Sequence, residues 1–179
     1  LKWVYIFKLL PFNTGNIKLN LFKWWKKIAA YTVTKTKTAS DLASAKDYKT
    51  QIEELLKKMI IKIDDTSWKF LPNEQLRESD ATYWIKNAFP NAKSNNWQKF
   101  KRLTRLEFLK LLNKMTGIKS LFTWVWFRDV TNSADLKFTN ILIDYNIKFK
   151  DKFWKNYLQP NNKITRAEAA YIIAKILSK

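Results

Sequence analysis

The chain has 179 residues, of which 46% are hydrophobic, so it is long enough and apolar enough to bury a core of its own. It contains neither Cys nor His, which excludes disulfides, the usual zinc ligands, and catalysis by Ser-His-Asp or Cys-His groups. The formal net charge of +19 favours an anionic partner, but 29 of the 34 basic residues are Lys spread along the chain, so the 5 Arg are more informative.

Residues 1–40 are predicted to be an N-terminal flank or linker. The segment LKWVYIFKLL at 1–10 is interrupted by Lys8, and KWWKKIAAY at 23–31 has a short apolar part before Thr and Lys alternate. We expect neither to be a signal peptide or a transmembrane helix, because neither contains a long uninterrupted apolar stretch. Membrane contact by this flank, as an interfacial segment, stays open as the alternative.

From Asp41 onward the sequence repeats itself. FLPNEQLRESDATYWIKNAF at 70–89 matches LQPNNKITRAEAAYIIAKIL at 158–177 with an offset of 88, and the preceding helices match with an offset of 86. A partial copy, RLTRLEFLKLLNKMTGI, starts at Arg102 and matches the last copy with an offset of 61. The predicted organisation is a unit at 41–89, a truncated second unit at 90–117, and a linker with the third unit at 118–179.

Apolar residues in these units recur at helical spacing, so each full unit is predicted to be helix, loop, helix. The predicted stripe of the first helix is Ile52, Leu55, Leu56 and Met59. The stripes of the later helices are Ala81, Ile85, Ala88 and Phe89; Phe108, Leu111, Leu112 and Met115; and Ala169, Ile172, Ile173, Ile176 and Leu177. Short helices with similar apolar faces gain stability by packing together, so the predicted class is all-α with repeated units.

Two of these helices begin with the spacing of a capping box. Thr104 precedes Glu107, and Thr165 precedes Glu168, each by three residues. An arginine follows each Thr, in the first turn, where the helix dipole makes a cation unfavourable by about 0.3–1 kcal/mol. Two of five arginines at equivalent positions suggest that they hold an anion. A structural salt bridge to an acid of a neighbouring unit is the alternative.

The repeated stretches resemble S-layer homology (SLH) domains over roughly residues 41–179. The matching pieces are FRDV at 127–130, FLPNEQL at 70–76, LTRLEFLKLL at 103–112 and QPNNKITRAEAAYII at 159–173. The resemblance implies a three-pronged helical prism that anchors a surface or S-layer-associated protein to the cell envelope without covalent attachment. The implied partner is an anionic, often pyruvylated, secondary cell-wall polysaccharide, or peptidoglycan, with other S-layer subunits as further partners.

In this family the arginine of the TRAE sequence contacts the ligand. The resemblance implies the same role for Arg105 and Arg166. Unit 1 departs from the pattern, because it reads LRESD and has Arg77 where the capping Thr is expected. The predicted ligand-binding residues are Arg105, Arg166, Arg77, Thr104, Thr165, Glu107, Glu168 and Asn161. An arginine fork suits a planar carboxylate on a sugar, and helix N-terminal N–H groups favour the same anion.

The balance of Gly and Trp is unusual. The chain has 2 Gly and 9 Trp, whereas average usage of about 7% Gly predicts roughly 12 or 13. Trp68 lies in DDTSWKFLPN, where the resemblance places Gly. Some bacterial lineages read UGA as Gly and other translation tables read it as Trp. We therefore hypothesise that several of these Trp, Trp68 first, are Gly in the cell.

Two other functions compete with anchoring. Nucleic-acid binding is suggested by the net charge and interspersed aromatics, but no known nucleic-acid motif is visible, so no nucleic-acid partner is expected. A wall-active enzyme with an SLH anchor needs two positioned carboxylates, for which Asp64–Asp65 and Glu53–Glu54 are candidates only by proximity. We expect solvated acids there, no enzymatic activity, no cofactor and no metal, and a location at the cell surface.

Overall fold

The computed structural model describes residues 15–23, 26–35, 39–63, 67–94, 100–122, 124–148 and 156–179. The chain forms two compact units, 1–37 and 38–179. Each is described by itself below.

The N-terminal unit contains a two-stranded antiparallel hairpin. Strand β1 spans Gly15–Lys23 and strand β2 spans Lys26–Lys35, with Gly15 opposite Lys35 and an irregularity of the register between Leu21 and Phe22. β2 has the sequence KKIAAYTVTK, and β-branched Thr, Val and Ile favour extended backbone. The sequence predicts only a flank here, so the all-α expectation does not extend to this hairpin.

The unit 38–179 is helical, which confirms the all-α class for its described residues. Its α-helices are α1 (Lys49–Lys57), α2 (Glu78–Ala88), α3 (Arg105–Thr116), α4 (Leu136–Thr139), α5 (Ile141–Asp144) and α6 (Arg166–Leu177). Two short 3₁₀ turns, Leu42–Ala45 and Ser133–Asp135, precede α1 and α4. Within the described ranges, no helix is long and apolar enough to cross a membrane.

The predicted apolar stripes form most of the core of this unit. Ile52, Leu55 and Leu56 are buried on α1, as are the predicted residues of α3 and most of those of α2 and α6. The prediction was wrong for Met59, which is 59% exposed. Helix α1 ends at Lys57, and Met59 has a φ of 57°, so this side chain leaves the helical stripe.

Three buried residues close a ring of backbone hydrogen bonds at the centre of this unit. The N–H of Leu76 donates to Ile164 O at 2.9 Å, that of Ile164 to Leu103 O at 3.0 Å, and that of Leu103 to Leu76 O at 3.1 Å. The offsets of 88 and 61 also relate these three residues to one another. Because the three segments are far apart in sequence, this ring ties α2, α3 and α6 together at their N-termini.

Two aspartates bind the loops that precede the second helices. The carboxylate of Asp41 accepts from the N–H groups of Phe70 and Leu71 at 2.8 and 2.7 Å. The carboxylate of Asp129 accepts from the N–H groups of Leu158 and Gln159 at 2.9 and 2.6 Å. The donors and the acceptors are each related by an offset of 88. Charge-assisted bonds of this kind hold each loop against the turn that starts its repeat.

Candidate functional site

Helices α3 and α6 begin with complete capping boxes, as predicted. Thr104 Oγ1 accepts from the N–H of Glu107 at 3.2 Å, and Glu107 Oε2 accepts from the N–H of Thr104 at 2.8 Å. Thr165 and Glu168 repeat both bonds at 3.2 and 2.9 Å. These four side chains satisfy N–H groups that a helix end leaves open, and this local role explains their spacing.

Arg105 lies in a buried contact between two helices. Its Nη2 is 2.5 Å from Glu168 Oε1, and the two side chains are 6% and 7% exposed. Its Nη1 donates to Leu158 O at 3.0 Å and to Gln159 Oε1 at 3.4 Å. In this structure Arg105 therefore forms a salt bridge to an acid of a neighbouring unit, which was the alternative to anion binding. Its guanidinium faces protein acceptors.

Arg166 makes the equivalent contact on the next helix pair, but in a more open setting. Its Nη1 is 2.7 Å from Asp80 Oδ2, its Nε donates to Phe70 O at 2.7 Å, and its side chain is 14% exposed. The guanidinium lies 5.0 Å from the centre of the Phe70 ring and 4.9 Å from that of Trp84. Burial lowers the pKa of Arg166, and Asp80 opposes that shift. Arginine stays protonated in proteins, so Arg166 is a cation here. It is held by cation–π contacts with the two rings and by the Asp80 carboxylate.

The third helix pair, α2 and α3, has a different arrangement. The offset of 88 places Glu78, not an arginine, at the first position of α2. Lys101 Nζ lies 3.0 Å from Glu107 Oε1 and supplies the positive charge there. The hydrogen bond with Glu107 is the main cause that raises the pKa of Lys101, and the charge of Glu78 adds to it. The three helix pairs are thus related in backbone and differ in charge.

A groove of about 460 Å³ opens beside Arg166, and we call it the arginine groove. Its basic lining side chains are Lys62, Lys69, Arg77, Arg102 and Arg166, and its acidic ones are Glu74 and Asp80. Three of the five arginines of the chain therefore line one groove. Among the described lining residues, five side chains are positive and two are negative, an excess that favours an anion over a cation.

Arg77 and Arg102 occupy one wall of the arginine groove. They are paired directly across an isolated antiparallel bridge. Arg102 Nη1 donates to Gln75 O at 2.6 Å. Arg77 is exposed and is the N-cap residue of α2, where its side chain makes no capping hydrogen bond. Among the described residues, no carboxylate forms an ion pair with either guanidinium.

Tyr83 and Lys62 also line the arginine groove. Lys62 Nζ lies 4.3 Å from the centre of the Tyr83 ring. Burial would raise the pKa of Tyr83, but hydrogen bonds with Lys62 and Asn87 and the charge of Lys62 outweigh it and hold that pKa below its ordinary value. The groove thus combines cations with an aromatic ring that is 37% exposed.

Of the predicted site residues, the arginine groove contains Arg77 and Arg166. Arg105 lies in the buried ion pair, and Asn161 is exposed outside the groove lining. The four Thr and Glu residues act as caps. Sequence reasoning missed Arg102, whose signal was its rarity as an arginine at the start of the middle copy. It also missed Lys62, Lys69 and Tyr83, which nothing in the sequence separates from the other lysines and tyrosines.

Of the acidic pairs considered for catalysis, Glu53–Glu54 lies in the described part of the chain. Glu54 Oε1 lies 2.7 Å from Lys58 Nζ, and Glu53 Oε1 lies 3.9 Å from Lys49 Nζ. Asp64–Asp65 lies outside the described residues. The described ranges contain no group of three or more acidic side chains arranged to hold a metal ion.

No protein-family model matches this chain, and no curated protein matches it at a significant level. The contacts of the arginine groove and the repeated sequence are therefore the grounds for the function proposed below.

Proposed function

We propose that this chain anchors a surface or S-layer-associated protein to the cell envelope by binding an anionic cell-wall polysaccharide in the arginine groove. The observation that carries the proposal is the convergence of Arg77, Arg102 and Arg166 on one groove in a chain with only five arginines. Arginine is the side chain best suited to hold carboxylate or phosphate groups by two parallel hydrogen bonds.

The proposal includes the architecture that the resemblance implies, in which the unit 38–179 is an SLH-type three-pronged prism. Its support is the closed ring of hydrogen bonds among Leu76, Leu103 and Ile164, at positions that the sequence repeat relates. The first residues of α2, α3 and α6 add a second ring, because Glu78, Arg105 and Arg166 each donate a backbone N–H to another segment at 2.8–2.9 Å. Such a cyclic exchange supports an arrangement of the helix starts around one axis.

The groove offers separate contacts for the two parts of an acidic sugar. A carboxylate or phosphate group is matched by the guanidinium groups, each charge-assisted hydrogen bond contributing about 1.5–3 kcal/mol. The ring of Tyr83 offers an apolar surface to the face of a sugar ring. Peptidoglycan is the alternative polymer, and other S-layer subunits are further partners. The proposed location is the cell surface, and the anchoring role requires neither catalysis nor a cofactor.

Co-sedimentation with purified cell-wall sacculi tests the proposal. Sacculi that retain their polysaccharide should pellet the chain, and sacculi from which the anionic polysaccharide has been extracted should not. Binding should persist at 300 mM NaCl and be lost in Arg77→Gln and Arg102→Gln but not in Arg128→Gln, which removes the same charge outside the groove. Binding that ignores extraction of the polysaccharide, or that disappears with salt for every variant equally, would reduce the interaction to nonspecific attraction by lysines.

A further inference from the structure

We propose that Arg77 and Arg102 form a two-guanidinium site for a ligand with two adjacent anionic groups, carboxylate or phosphate, and that Arg166 positions the groove wall. The proposal deepens the function proposed above and rests on it for the source of the ligand. Neither arginine belongs to the Thr-Arg-Ala-Glu type of sequence at the starts of α3 and α6. Their assignment comes from three independent observations on the groove.

The first observation is that two like charges face each other. Arg77 and Arg102 are directly opposed across an isolated bridge, and the side chains of directly opposed residues project from the same face. Like charges at such a pair destabilise the folded protein. Since no carboxylate of the described residues forms an ion pair with either one, a bound dianion would relieve this repulsion.

The second observation is that Arg77 replaces a helix cap. At the equivalent positions of α3 and α6, Thr104 and Thr165 accept a hydrogen bond from the third residue of their helices. Arg77 makes no such bond at the start of α2. Loss of an N-cap side chain destabilises the start of a helix. A residue that repels its neighbour and leaves its helix uncapped is disadvantageous for folding, which favours a role in binding.

The third observation is that Arg166 is already engaged. Its guanidinium contacts Asp80 Oδ2, Phe70 O and, at 3.3 Å, Lys62 O, and it lies 5.0 and 4.9 Å from the ring centres of Phe70 and Trp84. A ligand would have to displace these contacts to take a bidentate bond from it. Arg77 is exposed and Arg102 is half-buried, and both line the groove. Arg166 therefore orients Asp80 and the wall beside the ligand.

Titration with small anions tests the site without requiring the natural polymer. Malonate and pyrophosphate present two adjacent anionic groups, and acetate presents one. Nuclear magnetic resonance or calorimetry at fixed ionic strength should show malonate or pyrophosphate binding at least tenfold more tightly than acetate. The preferred dianion identifies whether the site takes carboxylate or phosphate. Equal affinity for acetate and both dianions would overturn the proposal.

Single substitutions locate the binding. Arg77→Gln and Arg102→Gln should each weaken dianion binding at least tenfold, whereas Arg128→Gln, which removes one positive charge from an exposed position outside the groove lining, should leave it unchanged. Equal weakening by all three would indicate a general charge effect and overturn the site. Arg77→Lys should also weaken binding, because an ammonium cannot form the two parallel bonds.

Arg77→Thr separates binding from folding. This variant restores the residue type found at the starts of α3 and α6, so its melting temperature should rise while dianion affinity falls at least tenfold. A fall in both would mean that Arg77 is a structural residue. If the variants lose dianion binding yet still pellet with sacculi, the two-guanidinium site stands and the wall ligand binds elsewhere. If the wild type binds dianions as predicted but never pellets with sacculi, the anchoring function fails instead.

Discussion

Arg105 and Glu168 join the starts of helices α3 and α6 by an ion pair of 2.5 Å between side chains that are 6% and 7% exposed. The same Glu168 also accepts the capping hydrogen bond from the N–H of Thr165. One carboxylate therefore both caps its own helix and binds the neighbouring one. This contact gives Arg105 a role in stabilising the fold, although the sequence around it resembles that around Arg166.

Arg105→Met is expected to lower the free energy of unfolding by about 3–5 kcal/mol, because it leaves the Glu168 carboxylate buried without its charged partner. Urea unfolding followed by circular dichroism measures the loss. Arg166→Met should cost less, since Asp80 is 37% exposed and regains water. Equal losses for the two variants would contradict the difference in role between the two arginines.

Asp41→Asn is expected to destabilise the unit 38–179 by about 1–3 kcal/mol. An amide retains one acceptor oxygen and turns its NH₂ toward the second donor, so one of the N–H groups of Phe70 and Leu71 loses its partner. Thermal unfolding would measure the change against Glu53→Gln, a partly exposed acid whose contact with Lys49 is 3.9 Å long. A loss no larger than that of the control would mean that the aspartate does not hold the loop.

Trp68→Gly is expected to change the free energy of unfolding by no more than about 1 kcal/mol. Trp68 has a φ of 57°, a left-handed conformation that costs a non-glycine residue about 1–2 kcal/mol, and relief of this cost offsets the packing lost. Trp84→Gly, which removes a side chain only 2% exposed within α2, should instead cost at least about 3–5 kcal/mol. Urea unfolding compares the two.

The codon at position 68 tests why a tryptophan occupies this conformation. The hypothesis that several Trp are Gly in the cell predicts UGA at that codon, and UGG would reject it for Trp68. A Trp68→Gly variant as unstable as Trp84→Gly would also count against a native glycine there.

Glu107 is expected to contribute to the loss of stability in acid. Burial would raise the pKa of Glu107, but the backbone N–H of Thr104 and the ion pair with Lys101 outweigh it, so the folded-state pKa lies below the ordinary value. The stabilisation is therefore present above the unfolded-state pKa of about 4.3 and is lost as the pH falls through the lower folded-state pKa.

Urea unfolding at pH 7, 5, 4 and 3 measures this contribution. Glu107→Gln should be less stable than the wild type at pH 7 and should lose less stability between pH 5 and pH 3. Glu53→Gln is the matched, partly exposed control. An acid slope in Glu107→Gln as steep as that of the wild type would show that other carboxylates account for the transition.

Local chemistry determined much of the helical unit. The capping boxes at Thr104 and Thr165 and the buried stripe of α1 depend on residues within one or two turns, so sequence spacing predicts them. The predicted burial of Met59 was wrong because helix α1 ends before the periodic pattern does. The hairpin β1–β2 was not predicted, because strand pairing depends on a partner segment that composition alone does not identify.

Only the tertiary structure decided what the arginines do. Arg105 and Arg166 each lie between a capping Thr and its Glu, yet one contacts the buried Glu168 and the other the half-exposed Asp80 beside a groove. Arg77 and Arg102, 25 positions apart in the chain, meet because the hydrogen-bonded ring brings their segments together. The sequence by itself determined where helices start and which faces are apolar, because those properties are local. Burial and charge partners arise only when distant segments meet.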